Sequence, residues 1–230
     1  MASIEKNISS KIGIMNLNDI DPTSTDPFVF RDIYPEIEEV PNGTMVSIPS
    51  FEIIPIFNSF TFDDFASANF SQGLLELTIE NSMVIPIGTP LVIELLEVIL
   101  GDTTNIPGAF LQFDTIIDAN NGSATGTMDL TNVSLPGEIL VKVSGNCQGT
   151  SGVPIFIDEQ AKNSGFVVSI GGSGLEVSEA NAKIPQQSIE EDGTISLAPD
   201  SNKVVNALIE SGQLLIEIDN YMELSSTLNI

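Results

Sequence analysis

One strand-like motif occurs twice in this chain, and no other feature constrains the fold as much. Aligning Gly73 with Gly212 brings Leu75 onto Leu214, Leu77 onto Ile216 and Ile79 onto Ile218. Glu80 then meets Asp219, Asn81 meets Asn220, Met83 meets Met222 and Ile85 meets Leu224. Upstream, Ile48-Pro49 and Ile53 correspond to Ile184-Pro185 and Ile189 after a gap of three residues. In the first copy, Leu75, Leu77 and Ile79 alternate with Glu76, Thr78 and Glu80, the period of two of a half-buried strand. Self-similarity at a fixed separation reads as structural duplication. A unit of about 140 residues then runs from near Ser47 to near Lys183, and a second begins there and stops at Ile230.

Further strands are predicted at Thr125–Leu130, Ile139–Val143, Ile155–Ile157 and Gly165–Ile170. Asn121-Gly122, Pro136-Gly137, Gly149–Gly152 and Gly171–Gly174 separate them as turn signals. Leu91–Leu100 suits helix or strand by pattern alone, and Ser201–Ile209 reads as a helix or as a strand entering the second motif. Short strands between turns at this spacing give an all-β fold, a sandwich or a barrel. Three regions follow. Residues 1–46 are an extended segment broken at Asp21-Pro22, Asp26-Pro27, Tyr34-Pro35 and Val40-Pro41, with short strands at Ile12–Leu17 and Phe28–Ile33. Residues 47–182 form the first repeat unit, complete, and residues 183–230 the start of a second, partial one.

Charge narrows the function. The chain has 7 basic and 32 acidic residues and a formal net charge of −25. Arg31 is the only arginine, and no lysine or arginine separates it from Lys142. Nucleic acid and anionic membrane surfaces are therefore excluded as partners, since both need phosphates neutralised by cations. Such a surface attracts cations, Ca²⁺ among them, and also keeps a β-rich protein from aggregating. The absence of histidine removes Ser-His-Asp and Cys-His catalysis and Cys/His zinc sites. Cys147 is the only cysteine and lies in a turn-like stretch, so no intrachain disulfide forms. The acidic pairs Glu38-Glu39, Asp63-Asp64 and Glu190-Glu191 are adjacent in sequence, and adjacent strand residues point to opposite faces, which argues against a shared catalytic site. No stretch reaches the roughly 18 apolar residues of a membrane helix. Met1–Lys6 begins no signal peptide; low Lys and Arg content and Ser/Thr/Asn-rich turns favour an extracellular or cell-surface setting with the leader removed.

The best candidate metal site is for Ca²⁺. Asp118-Ala-Asn120-Asn121-Gly122 offers oxygen ligands at alternate positions, with Asp129 at the twelfth position of the loop; the candidate ligands are Asp118, Asn120 and Asp129. An Asx-rich turn accounts for the same residues. Asp19, Asp21 and Asp26 make a second loop cluster. The many isoleucines also suit a barrel with an internal cavity for a hydrophobic ligand, as they suit an ordinary packed core.

The strand Leu75–Asn81 followed by Ser-Met-Val-Ile85-Pro86-Ile87 resembles the LEA14-like, water-stress-hypersensitivity family. That family has an alternating strand ending in Asn, then Ile-Pro, then a second strand, placed here at Thr89–Ile99. Asn120–Leu130 resembles its later polar turn and Thr-rich strand. The resemblance covers roughly Ser47–Val143, and in the second copy Ser225 replaces Pro86. It implies an immunoglobulin-like β-sandwich and a non-enzymatic role.

The leading functional expectation is a non-catalytic structural or interaction module of a secreted or cell-surface β-sandwich array. It would self-associate by strand complementation at an open edge near residues 212–230. The alternative is a soluble LEA14-like protein that protects against stress or binds a lipid. No cofactor other than Ca²⁺ is expected.

Overall fold

The structure, a computed structural model, describes residues 15–182. Strands take 64% of it and helix 8%, which meets the all-β expectation. In chain order the elements are β1 (Met15–Asn16), β2 (Ile20–Ser24), β3 (Phe28–Val29), α1 (Phe30–Ile33), a 3₁₀ turn (Pro35–Glu39), β4 (Thr44–Val46), β5 (Phe51–Thr61) and β6 (Phe65–Asn81). There follow β7 (Ile87–Ile99), β8 (Asp102–Phe113), β9 (Gly122–Asp129), β10 (Ser134–Pro136), β11 (Glu138–Cys147), β12 (Ile155–Ile157), α2 (Glu159–Asn163) and β13 (Gly165–Ala182).

The two longest strands, β6 and β13, pair antiparallel and form the spine of the first sheet. Along the far side of β13 run β1, β2 and β3; along the far side of β6 run β9 and β10. Residues 15–29 thus belong to this sheet. The second sheet has the order β5-β11-β7-β8, and β4 pairs with β12 in a small third one. The two large sheets form a sandwich-like arrangement. Alternation decides which side chains enter it. Leu75, Leu77 and Ile79 of β6 share a single buried cluster with Leu91, Ile93 and Leu95 of β7 and with Ile139, Val141 and Val143 of β11. Each is 1% exposed or less, and burying such a side chain is worth about 1.5–3 kcal/mol.

The duplicated motif has structural reasons in its first copy. Gly73 has φ +146°, and a Cβ there would lie 2.8 Å from a methyl of Leu175. It sits opposite the irregularity in β13 between Ser173 and Glu176, where only glycine fits. Asn81 is fully buried and fully used. Its Nδ2 donates to the carbonyls of Ile85 (3.0 Å) and Asp118 (2.9 Å), and its Oδ1 accepts from the Met83 N–H (3.0 Å). Its own carbonyl accepts from the Asn121 N–H at 2.7 Å. One amide thus ties the end of β6 to the 82–86 loop and to the 118–121 turn. The second copy, at Gly212–Ile230, and the Ser201–Ile209 segment lie outside the described residues.

Three local readings are corrected. Phe28–Ile33 is a strand only at Phe28–Val29; Phe30–Ile33 turns helically, which buries Phe30 and Ile33 together. Gly171–Gly174 is no hairpin turn but runs inside β13. Side chains at Gly171 and Gly172 would press against Pro22 and Ile20 at 3.0–3.1 Å, so these glycines serve the close approach of β2. Cys147 is not in a turn. It ends β11, is 1% exposed, and its thiol donates to the Pro86 carbonyl at 3.0 Å.

Candidate functional site

The chemistry most out of place on this molecule is on the outer face of the second sheet. Residues paired across antiparallel strands point to the same side. Phe57 of β5 pairs with Lys142 of β11, Lys142 with Glu94 of β7, and Glu94 with Phe110 of β8. One row across all four strands therefore reads aromatic, cation, anion, aromatic. Phe110 is 62% and Phe57 48% exposed. Between them Lys142 Nζ meets Glu94 Oε2 at 2.5 Å, both side chains 23% exposed. Asn105 Nδ2 donates to the other Glu94 oxygen at 3.4 Å. The next row is Ser59, Leu140, Leu96 and Asn105, with two leucines at its centre. Leu96 is buried and Leu140 half-buried, so the exposed apolar surface here is the two rings on either side of the ion pair, and exposed rings of this kind mark interaction sites.

Cations are scarce around it. Among the described residues Arg31, Lys142 and Lys162 are the cationic side chains, and each is engaged. Lys162 is buried and donates to the carbonyls of Val40 (2.7 Å) and Glu38 (3.4 Å). Arg31 bridges Glu38 (3.1 Å) and Glu159 (2.8 Å) and also donates to Asn163. The hydrogen bond from Arg31 holds the Glu159 carboxyl below its usual range, helped by Asn42 and Asn163. This cluster fastens α1 and the 3₁₀ turn to α2.

The sequence-predicted metal ligands are not brought together. Asp118 precedes β9 and Asp129 ends it, so the eight-residue strand holds them roughly 20 Å or more apart. Asn120 and Asn121 have left-handed φ of 55° and 79°, as an Asx-rich turn requires. Asp129 Oδ1 accepts from both the N–H and the hydroxyl of Thr131, at 2.8 and 2.7 Å, which lowers its pKa. In the second cluster Asp19 Oδ1 accepts from the Gly174 N–H at 3.1 Å, and the Asp26 carbonyl accepts from Asn58 Nδ2 at 2.6 Å. Among the described residues no three His, Cys, Asp or Glu side chains stand close enough to hold a metal.

Two surface hollows bear on small ligands. One, about 200 Å³, is lined by Asp19, Asp21, Asp63 and Asp64 with Phe60 and Phe62. The other, about 170 Å³, lies between Ser67–Asn69 and Glu179–Asn181. Both fall below the roughly 300 Å³ and more of ordinary ligand pockets.

The row Phe57–Lys142–Glu94–Phe110 was not singled out in the sequence. A signal existed: Lys142 interrupts the apolar run Ile139–Val143, and Phe57 and Phe110 stand in strands at outward positions. No family model matches the chain, and no curated protein matches it in sequence.

Proposed function

We propose that the chain is a non-catalytic structural and interaction module of a secreted or cell-surface β-sandwich array, of immunoglobulin-like kind, that self-associates. The observation that carries this reading is the row of two exposed phenylalanines flanking an ion pair across the second sheet. Exposed aromatic rings set around an ion pair are the kind of surface that partners cover. The duplicated motif supports an array, because repeated units are built to stack on like neighbours. Strand addition near residues 212–230 is the second route by which such an array would extend.

Sedimentation equilibrium of the full chain over a wide concentration range tests the reading. Concentration-dependent association is the expected result. A monomer throughout, at physiological salt and at the highest attainable concentration, overturns it.

A further inference from the structure

The row that crosses the second sheet is self-complementary, and this names the partner. We propose that the outer face of the β5-β11-β7-β8 sheet docks on the same face of a second copy of this chain. The two-fold axis would run along the strands, through the middle of the row. This rests on the self-association reading and assigns it to one surface and one geometry.

The argument is charge complementarity. Read from β5 to β8, the row is Phe57, Lys142, Glu94, Phe110. A copy turned about an axis parallel to the strands presents the same row in reverse. Lys142 then stands over the partner's Glu94, Glu94 over the partner's Lys142, and each phenylalanine over the partner's other one. The isologous contact becomes a four-charge ring closed at both ends by paired rings. The other in-plane axis, along the row, sets Lys142 on the partner's Lys142 and Glu94 on the partner's Glu94, so electrostatics selects one orientation. In the row beside it, Ser59 comes over the partner's Asn105, and the half-buried Leu140 over the partner's buried Leu96.

Size is adequate. Four strands about 4.8 Å apart and some ten residues long present a footprint of roughly 600–700 Å² before side-chain relief, near the ~800 Å² per partner of a stable interface. The edges of this sheet suit lateral pairing less well. Pro55 interrupts β5 and Pro107 interrupts β8, each beside an irregularity in the ladder. Proline and bulges blunt an edge strand, which leaves the face as the open surface. Net charge opposes any pairing of copies. Raising salt from about 10 mM to 150 mM shortens the screening length from about 30 to 8 Å, so association should tighten over that range.

Charge reversal in the full chain tests the geometry. Lys142→Glu places four carboxylates at the centre of the contact, and Glu94→Lys places four ammonium groups there. Each is expected to weaken association at least a hundredfold by sedimentation. The double variant Lys142→Glu/Glu94→Lys restores the alternating ring and is expected to associate within about tenfold of the unaltered chain. Circular dichroism confirms that each variant remains folded, and Phe110→Glu, outward and exposed, gives an independent disruption. If the unaltered chain associates but single and double variants associate equally well, the face is wrong and the self-association reading stands. If the double variant stays as weak as the singles, the two-fold pairing is overturned. An unaltered chain that remains monomeric overturns both.

Discussion

The outer faces of the two large sheets carry rows of the same length and opposite chemistry. Across the first sheet, Ser24 of β2, Ser169 of β13, Thr78 of β6 and Thr125 of β9 stand side by side. Their hydroxyls pair, Ser24 with Ser169 at 2.7 Å and Thr78 with Thr125 at 2.9 Å. Across the second sheet the equivalent row is Phe57, Lys142, Glu94 and Phe110. Alternation places both rows outward, so the strand rule alone cannot explain the difference. A hydroxyl row satisfies its own hydrogen bonds and is wetted without cost. An aromatic row exposes apolar area worth about 25 cal/mol for each Å² left in water. The hydroxyl row is finished as it stands, whereas the aromatic row gains by being covered.

Both faces depend on the sandwich holding, so its anchor gives the largest effect. Asn81→Ala leaves the Met83 N–H and the Ile85 and Asp118 carbonyls without their partner. Destabilisation of about 3–5 kcal/mol is expected from urea unfolding, because each buried orphan costs about 1–3 kcal/mol. A loss below about 1 kcal/mol would mean the amide is not the tie described.

pH separates the end of β11 from the Arg31–Glu159 cluster at α2. Burial pushes the Cys147 thiol, at the end of β11, up to about 11 against an ordinary 9.0. Stability from keeping it neutral is complete below pH 9 and is lost as pH rises through about 11. That amounts to roughly 2–3 kcal/mol, and Cys147→Ala should flatten the alkaline limb of a stability–pH curve. Glu159 behaves oppositely. Arg31 holds its carboxyl low, so its contribution is present above the unfolded-state value and disappears as pH falls through the lowered one. Glu159→Gln should therefore change the acid limb and leave the alkaline limb as it was.

On the faces themselves, Phe110→Ser is expected to weaken self-association tenfold or more, about 1.4 kcal/mol. Folding stability should move by less than about 1 kcal/mol, since the ring is largely exposed. Thr125→Val on the hydroxyl face should alter neither beyond about 0.5 kcal/mol. Equal effects of the two substitutions on association would erase the distinction between the faces. Smallest of all, adding Ca²⁺ or a chelator should leave the melting temperature unchanged, because Asp118 and Asp129 stand at opposite ends of β9.

What the sequence made legible follows from local periodicity. Leu75–Asn81 alternates, and its inward side chains are those that enter the core; the Asn that closes the motif proves to be its anchor. Thr89–Ile99, expected as the second strand from the family resemblance, lies within β7. Glycine was harder to read. Gly171–Gly174 has the composition of a turn, yet two of its glycines serve close approach to β2, a need set by a segment some 150 residues away. The aromatic row was not legible, because its members lie on four strands between positions 57 and 142 and become neighbours only through pairing register.

The central claim is that the second sheet pairs with itself about an axis along its strands. Site-specific cross-linking tests it most directly. Ser59→Cys and Asn105→Cys variants of the full chain are treated with a bis-maleimide whose spacer spans about 10 Å, the distance between packed sheets, separately and mixed. Within one protomer these positions span the sheet, about 14 Å from edge to edge, and the two-fold sets Ser59 over the partner's Asn105. The expected result is a cross-linked dimer in the mixture and little in either variant alone. Efficient cross-linking of each variant with itself, or none in the mixture under conditions where the unaltered chain associates, would contradict the account.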